Sequence, residues 1–336
     1  MTEPLDRVYA LLGLAEDTIY HSQISVDYSS RSWNCVSDLY VKFGKLILRK
    51  ENLLILLYYN SSKERLETLP SWCPNFNSPE ATSTMSHEYA AGWPAPHHQC
   101  TASTSPCKTS GKQRHGAFRE LFDSYAKVSF SSDIIQVWGA QLDLVAQVGD
   151  AYPEHLATAY VEGGFGTLFR RTLKWLDDNL KLCKKYCRQP EDVLYESYWR
   201  THVGNIGFNQ KDFPCHDKQE ESLRVFRKVV DGLDKGNIGE NGALAFDLAN
   251  HLDWIWRSRR LFVTVSGRLG FGCERVTPGD AICVLYSGTC LFVLRKNLNR
   301  DTYTFKEAAY THGLMQGEAF DLLDSGEATE ELFAIE

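Results

Sequence analysis

The stretch DAICVLYSGTCLFVLR, Asp280 to Arg295, decides the fold. Two apolar runs of strand length, DAICVLY (Asp280 to Tyr286) and TCLFVLR (Thr289 to Arg295), flank Ser287-Gly288. That arrangement predicts a β-hairpin whose glycine takes the positive φ that tight turns ask for. Working outward, RLFVTV (Arg260 to Val265) reads as another strand, TPGD (Thr277 to Asp280) as a turn and TYTFKEAAY (Thr302 to Tyr310) as a fourth strand, with an acidic tail after it. Several short strands with glycine turns predict a small barrel or strongly curved sheet over 259–336.

Upstream the period changes. Phe169, Leu173, Leu176, Leu180, Cys183 and Cys187 recur at alternating steps of four and three, the stripe of a helix that buries one face. Further helices are predicted at about Asp192 to His202, Asp217 to Val230 and Ala243 to Trp256. Ala126 to Asp150 reads as consecutive short strands, so 117–258 is expected to combine a short sheet with a helical region. Residues 1–60 read as a helix at DRVYALLGLA, a strand-like alternation at ISVDYS (Ile24 to Ser29), then a helix with Trp33, Val36, Tyr40, Phe43 and Ile47 on one face. The apolar run LLILLYY (Leu53 to Tyr59) follows, and periodicity leaves it open between buried strand and helix. Residues 61–116 are rich in Ser, Thr, Pro, His and Gly and are expected to form a mobile surface loop. Within it the prolines of LPSWCPNF (Leu69 to Phe76) hold an aromatic segment extended against the core. The fold class is α+β: a helical N-terminal and central part with a small β-rich, barrel-like C-terminal unit.

The net charge of −7 lacks the concentrated basic face that nucleic acid requires, and RSRR (Arg257 to Arg260) reads as a solvated cap between a helix and a strand. Glu3, Asp6, Arg7, Glu16 and Asp17 interrupt any signal-peptide core. LLILLYY falls far short of the ~20 apolar residues of a membrane helix. A cytoplasmic protein is expected, its ten cysteines reduced, with neither nucleic acid nor membrane as partner.

Candidate chemistry centres on AYTHGLMQGEA, Ala309 to Ala319, where His312 and Glu318 could form an acid–base pair. The structural alternative makes His312-Gly313 a turn and Gly317-Glu318 the start of the final helix. Tyr310 and Met315 then pack inward, and a nearby carboxylate holds the imidazole. Asp27, Asp38, Asp280 and Glu307 are further carboxylates that sequence does not pair. His97, His98, Cys100 and Cys107, with His115, are metal-ligand candidates in one polar loop, without a strong zinc spacing. Cys183 and Cys187 continue an apolar stripe and read as core, and Cys215-His216 has no spacing that requires a site. EGGFGTLFR (Glu162 to Arg170) and GRLGFG (Gly267 to Gly272) lack the Lys-Ser/Thr of a phosphate loop and read as turns. There is no G-x-S-x-G elbow, so no catalytic constellation emerges and no cofactor is called for.

Taken together, these segments resemble fungal heterokaryon-incompatibility (HET) domain proteins. DRVYALLGLA looks like the family's D-[KR]-V-[YF]-A-[LI]-L-G-[LM] segment, ISVDYS its I-x-[PV]-D-Y-S element and LPSWCPNF its L-P-S-W-x-P-[DN]-[WF] element. RRLFVTVSGRLGFG, PGDAICVLYSG, CLFVLR and AAYTHGLMQGEA are similar to its closing run of strands and final histidine–glycine signature. The resemblance makes 1–60 the end of a HET-like domain, without the family's aromatic opening segment. HET domains are thought to be similar to TIR-type folds, some of which cleave NAD, but no catalytic residue carries over here. The resemblance implies action through contacts with other proteins, such as another incompatibility factor, in fungal non-self recognition and programmed cell death, by a truncated regulatory copy. The rival expectation is an enzyme or accessory protein of a biosynthetic pathway, with a pocket near His312, Glu318 or Asp280.

Overall fold

The computed structural model describes residues 3–12, 23–29, 33–51, 54–58, 60, 66–78, 89, 91, 128–153, 156–206, 218–233, 242–286 and 288–336. Before the first strand come helices α1 (Asp6–Leu12), α2 (Trp33–Glu51) and the single turn α3 (Ile55–Tyr58). Strands β1 (Ser129–Ser131) and β2 (Ile134–Ala151) lead into α4 (Leu156–Tyr186), α5 (Glu191–His202), α6 (Lys218–Leu233) and α7 (Gly242–Trp256). The C-terminal part runs β3 (Arg259–Thr264), β4 (Leu269–Cys273), β5 (Ala281–Leu285), β6 (Leu291–Lys296), β7 (Tyr303–Thr311), α8 (Glu318–Ser325) and β8 (Glu330–Ile335).

Local chemistry explains the helix ends. Glu191 and Asp192 occupy the first turn of α5 just after Pro190, while Arg200 and His202 occupy its last turn. The two carboxylates and the Arg200 guanidinium complement the helix dipole. In α4 the predicted stripe is the packed face: Phe169, Leu176, Cys183 and Cys187 are buried, and Leu173 and Leu180 pack against the same core. Gly164, with φ 70, breaks α4 within the EGGFGTLFR segment, so that segment is a kink inside a helix.

The sheet is a near-closed ring. Its strands run β2, β3, β4, β7, β6 and β5, and β5 pairs back onto β2. One strand can serve both ends because β2 has 18 residues: Gly139–Leu144 pair with β5, and Val145–Ala151 pair with β3. Its first half is lined by β8, with Ile135 opposite Ile335 and Ala140 opposite Glu330. β8 also bridges β7 in parallel, at Tyr303 and Ile335.

These pairings correct several local expectations. The consecutive short strands expected over Ala126 to Asp150 are one short strand and one long bulged strand, with register shifts at Gln141/Asp143, Val145/Gln147 and Val148/Ala151. The acidic tail forms α8 and β8. Of LLILLYY, left open between strand and helix, Ile55–Tyr58 form a helical turn. ISVDYS is not a strand: Ile24 to Tyr28 run without regular structure, Asp27 accepting from the Ser29 N–H. In the quoted hairpin β5 ends at Leu285 and β6 begins at Leu291, a connection longer than a two-residue turn. Gly288 there supplies space instead of a positive φ, since a Cβ would stand 2.6 Å from Phe292 Cε2.

Every residue of β5, and Leu291–Leu294 of β6, is buried. Strands buried on both faces read as continuous apolar runs, and part of the cover on β6 comes from the N-terminal segments. Tyr58 of α3 stacks on Phe292 at 5.8 Å and accepts from the Thr289 N–H. The LPSWCPNF segment lies against the barrel as predicted. Trp72 is fully buried and donates from Nε1 to the Asp133 carbonyl at 2.6 Å, while the Ser71 N–H reaches the Glu336 carbonyl at 2.8 Å.

Candidate functional site at the junction of helices and barrel

A row of aromatic rings joins the helical block to the barrel. Trp175 of α4 meets Trp256 of α7 at 4.7 Å, Trp256 meets Phe271 of β4 at 5.0 Å, and Phe271 stacks on Tyr310 of β7 at 5.1 Å. Such contacts combine large area burial with preferred ring geometry. Tyr310 leads to His312: the Tyr310 hydroxyl and His312 Nδ1 share a hydrogen bond of 3.0 Å. The His312 backbone N–H donates to the Leu269 carbonyl at 2.8 Å, extending the β4–β7 ladder past the last strand residue. Tyr89 closes the cluster, its ring 5.7 Å from Tyr310 and its hydroxyl donating to the Gly204 carbonyl.

Burial holds the His312 imidazole below its usual pKa, the nearby Arg200 cation pushes the same way, and Glu196 opposes. The carboxylate whose field reaches His312 therefore belongs to α5. Glu318 is engaged elsewhere, with its Oε2 accepting from the Gln316 N–H at 2.6 Å at the start of α8. Among the described residues, His312 and Glu318 share no hydrogen bond. Tyr310 and Met315 pack inward, being 1% and 2% exposed. The partner that holds the imidazole is a phenol, not the carboxylate expected from the sequence.

Asp280 is buried and taken up by Arg295, which donates to it from Nε at 2.6 Å and from Nη2 at 2.9 Å. Asp38 lies exposed on α2. The Cys183 and Cys187 thiols are raised by burial, Cys187 to about 11, which favours the neutral, inert form. No cluster of three or more potential metal ligands occurs among the described residues. His97, His98, Cys100, Cys107, His115, Cys215 and His216 lie outside them.

Sequence reasoning missed one polar pair. Arg259 and Glu307 are both buried, with Arg259 Nη2 donating to Glu307 Oε1 at 3.1 Å and Nη1 to the Ile255 carbonyl at 2.7 Å. RSRR is thus not wholly a solvated cap, because its third residue points inward with Leu261 and Val263. Strand period two carries that signal. Burial raises the Glu307 carboxyl and Arg259 pulls it down, the net direction being up. A pair removed this far from water fixes geometry more than it adds stability.

Two adjoining hollows lie on the helical block among the described residues. One, of about 430 Å³, is lined by residues including Asp177, Lys181, Tyr195 and Arg227; the other, of about 260 Å³, by Leu180, Lys184, Glu191 and Leu194 among others. Their charges are largely paired, Lys184 with Glu191 at 2.7 Å and Arg227 with Asp177. Neither hollow is lined by His312, Glu318 or Asp280.

Comparison with known proteins matches residues 248–333 to the Het-6 β-barrel domain. Heterokaryon incompatibility protein 6, OR allele, of Neurospora crassa is 22% identical over 367 aligned positions, which cover 96% of this chain and 49% of that protein. The chain thus spans about half the length of the curated relative it matches. No solved structure matches significantly. No helix of the described residues is long and apolar enough to cross a membrane. Residues 248–333 are thus similar to the Het-6 β-barrel domain, and nearly the whole chain is distantly similar to a heterokaryon incompatibility protein.

Proposed function

We propose that this chain acts through contacts with other proteins, among them a second incompatibility factor, in fungal non-self recognition that ends in programmed cell death. What carries the proposal is the likeness of nearly the whole chain to a protein named for heterokaryon incompatibility. The C-terminal polar residues support it by being spent on architecture. His312 is bonded to Tyr310, Glu318 to the backbone of the turn before α8, and Asp280 to Arg295. Groups committed in this way shape a surface, and recognition by such a barrel rests on its exposed loops and the adjoining helices.

The test is expression of the chain in Neurospora crassa strains of differing incompatibility genotype, followed by forced heterokaryons scored for growth and vital-dye uptake. The expected result is slowed growth and dying fusion cells in some pairings and not in others. Growth equal to an empty-vector control in every pairing overturns the proposal.

A further inference from the structure

Three cations crowd one side of the barrel: Arg275 in the turn after β4, Arg295 on β6 and Lys306 on β7. The two arginine side chains are tied to main-chain oxygens of the cluster. Arg275 Nη2 donates to the Lys306 carbonyl at 3.3 Å, and Arg295 Nη2 donates to the Arg275 carbonyl at 3.2 Å and to Thr277 Oγ1 at 2.6 Å. Lys306 is the residue left without a cross-strand partner by the bulge in the β6–β7 ladder, where Val293 faces Glu307 and Leu294 faces Phe305. Bulges re-aim side chains, and this one sets an ammonium beside two guanidinium groups.

The cluster has one carboxylate of its own, and it is used up. Asp280, 1% exposed at its side chain, receives both Arg295 bonds and the Thr277 N–H at 2.9 Å. Glu307 also acts on Arg275 through space, but it is buried and paired with Arg259. Among the described residues neither Arg275 nor Lys306 forms an ion pair, and each is only half-buried. Burial and the charges of Arg295 and Arg275 lower the Lys306 pKa against the pull of Asp280. A like-charged cluster costs stability unless an anion completes it.

We propose that Arg275, Lys306 and the exposed edge of Arg295 form a binding site for a phosphate monoester. Two uncompensated cations match the charge of about −1.5 to −2 that such a group carries at neutral pH. A guanidinium offers a planar pair of donors to phosphate oxygens, a lysine a point charge, and the Thr277 hydroxyl stands beside them. The site lies apart from His312 and holds whether or not the protein acts in incompatibility.

The test uses the full chain. Thermal melts and calorimetric titrations are run with inorganic phosphate against chloride at matched ionic strength, then with a phosphoserine peptide against its unphosphorylated form. Wild-type protein is expected to melt higher in phosphate than in chloride. Affinity should fall about tenfold in Lys306→Gln or Arg275→Gln, and binding should vanish in the double variant. Without phosphate Lys306→Gln should melt no lower than wild type, since that substitution relieves repulsion without removing a hydrogen bond shown here. Should a variant fold poorly, protection of Lys306 from amine acetylation by phosphate, read by mass spectrometry on wild-type protein, localises the site. Tighter binding of the phosphopeptide makes a phosphorylated protein the source, and equal binding makes it free phosphate. No effect beyond chloride, or an effect that survives the double variant, overturns the proposal.

Discussion

His202 and His251 make the fold sensitive to acid. His202 sits among Tyr198, Trp175 and Trp256, with Nδ1 donating to the Tyr198 carbonyl at 2.8 Å and Nε2 placed to accept from Asn179 at 3.3 Å. His251 Nε2 donates to the Val203 carbonyl at 3.2 Å. Burial holds both near a pKa of about 4 although the backbone hydrogen bonds pull upward. Because the folded pKa lies below the unfolded one, each contributes its full stability above about pH 6.5 and loses it as pH falls towards 4. The slope is about 1.4 kcal/mol per pH unit for each histidine. Urea midpoints should therefore drop steadily from about pH 7 to about pH 5, and His251→Gln should remove roughly half of that slope. A midpoint flat over this range would contradict the buried neutral histidines. At this scale the sequence carried part of the site. Tyr310 and Met315 could be placed inward by pattern, whereas the field at His312 is set by Arg200 and Glu196 of α5, which only the packing of α5 against the barrel brings near it.

At the scale of elements, Gly139 governs the barrel. It is paired on both edges of β2, with Leu285 on one side and Glu331 on the other. A Cβ there would stand 2.1 Å from the Val284 carbonyl oxygen and 3.0 Å from Leu285 Cα, contacts with backbone that no side-chain rotation relieves. Gly139→Ala is expected to cost about 3 kcal/mol or more, by the overpacking that such intrusions cause. An unchanged urea midpoint with native near-ultraviolet dichroism would refute the close approach. The same glycine explains why β2 reads as several strands, since Gly139 and Gly149 resemble turn signals and the bulges break strict alternation. β8 was illegible for a related reason: in EELFAI two glutamates precede four apolar residues without strict alternation, and its place is fixed by pairing with a strand far away in sequence. The helices were legible because their signal is local. The stripe ending at Cys187 needs no distant partner to be recognised.

For the whole molecule, the matched Het-6 β-barrel residues, 248–333, do not contain the ring they are matched for. β2 comes from Ile134–Ala151, and without it β3 and β5 keep unpaired edges, while β8, cut at residue 333, loses its partner β2 and also the Tyr303–Ile335 bridge to β7. An exposed, apolar edge pairs with other copies in preference to water. The N-terminal segment seals the other face, where Ser71 Oγ accepts from the Phe305 N–H at 2.7 Å and Trp72 is fully buried. A fragment of residues 248–333 is therefore expected to aggregate or to melt without a cooperative transition, while the full chain melts cooperatively. Trp72→Ala in the full chain should cost about 3–5 kcal/mol, the range for emptying a buried aromatic site. Circular dichroism melts of the fragment and the variant decide this. A fragment that unfolds with a sharp midpoint would mean that the strands close among themselves, and that β2 and Trp72 decorate a barrel they do not complete.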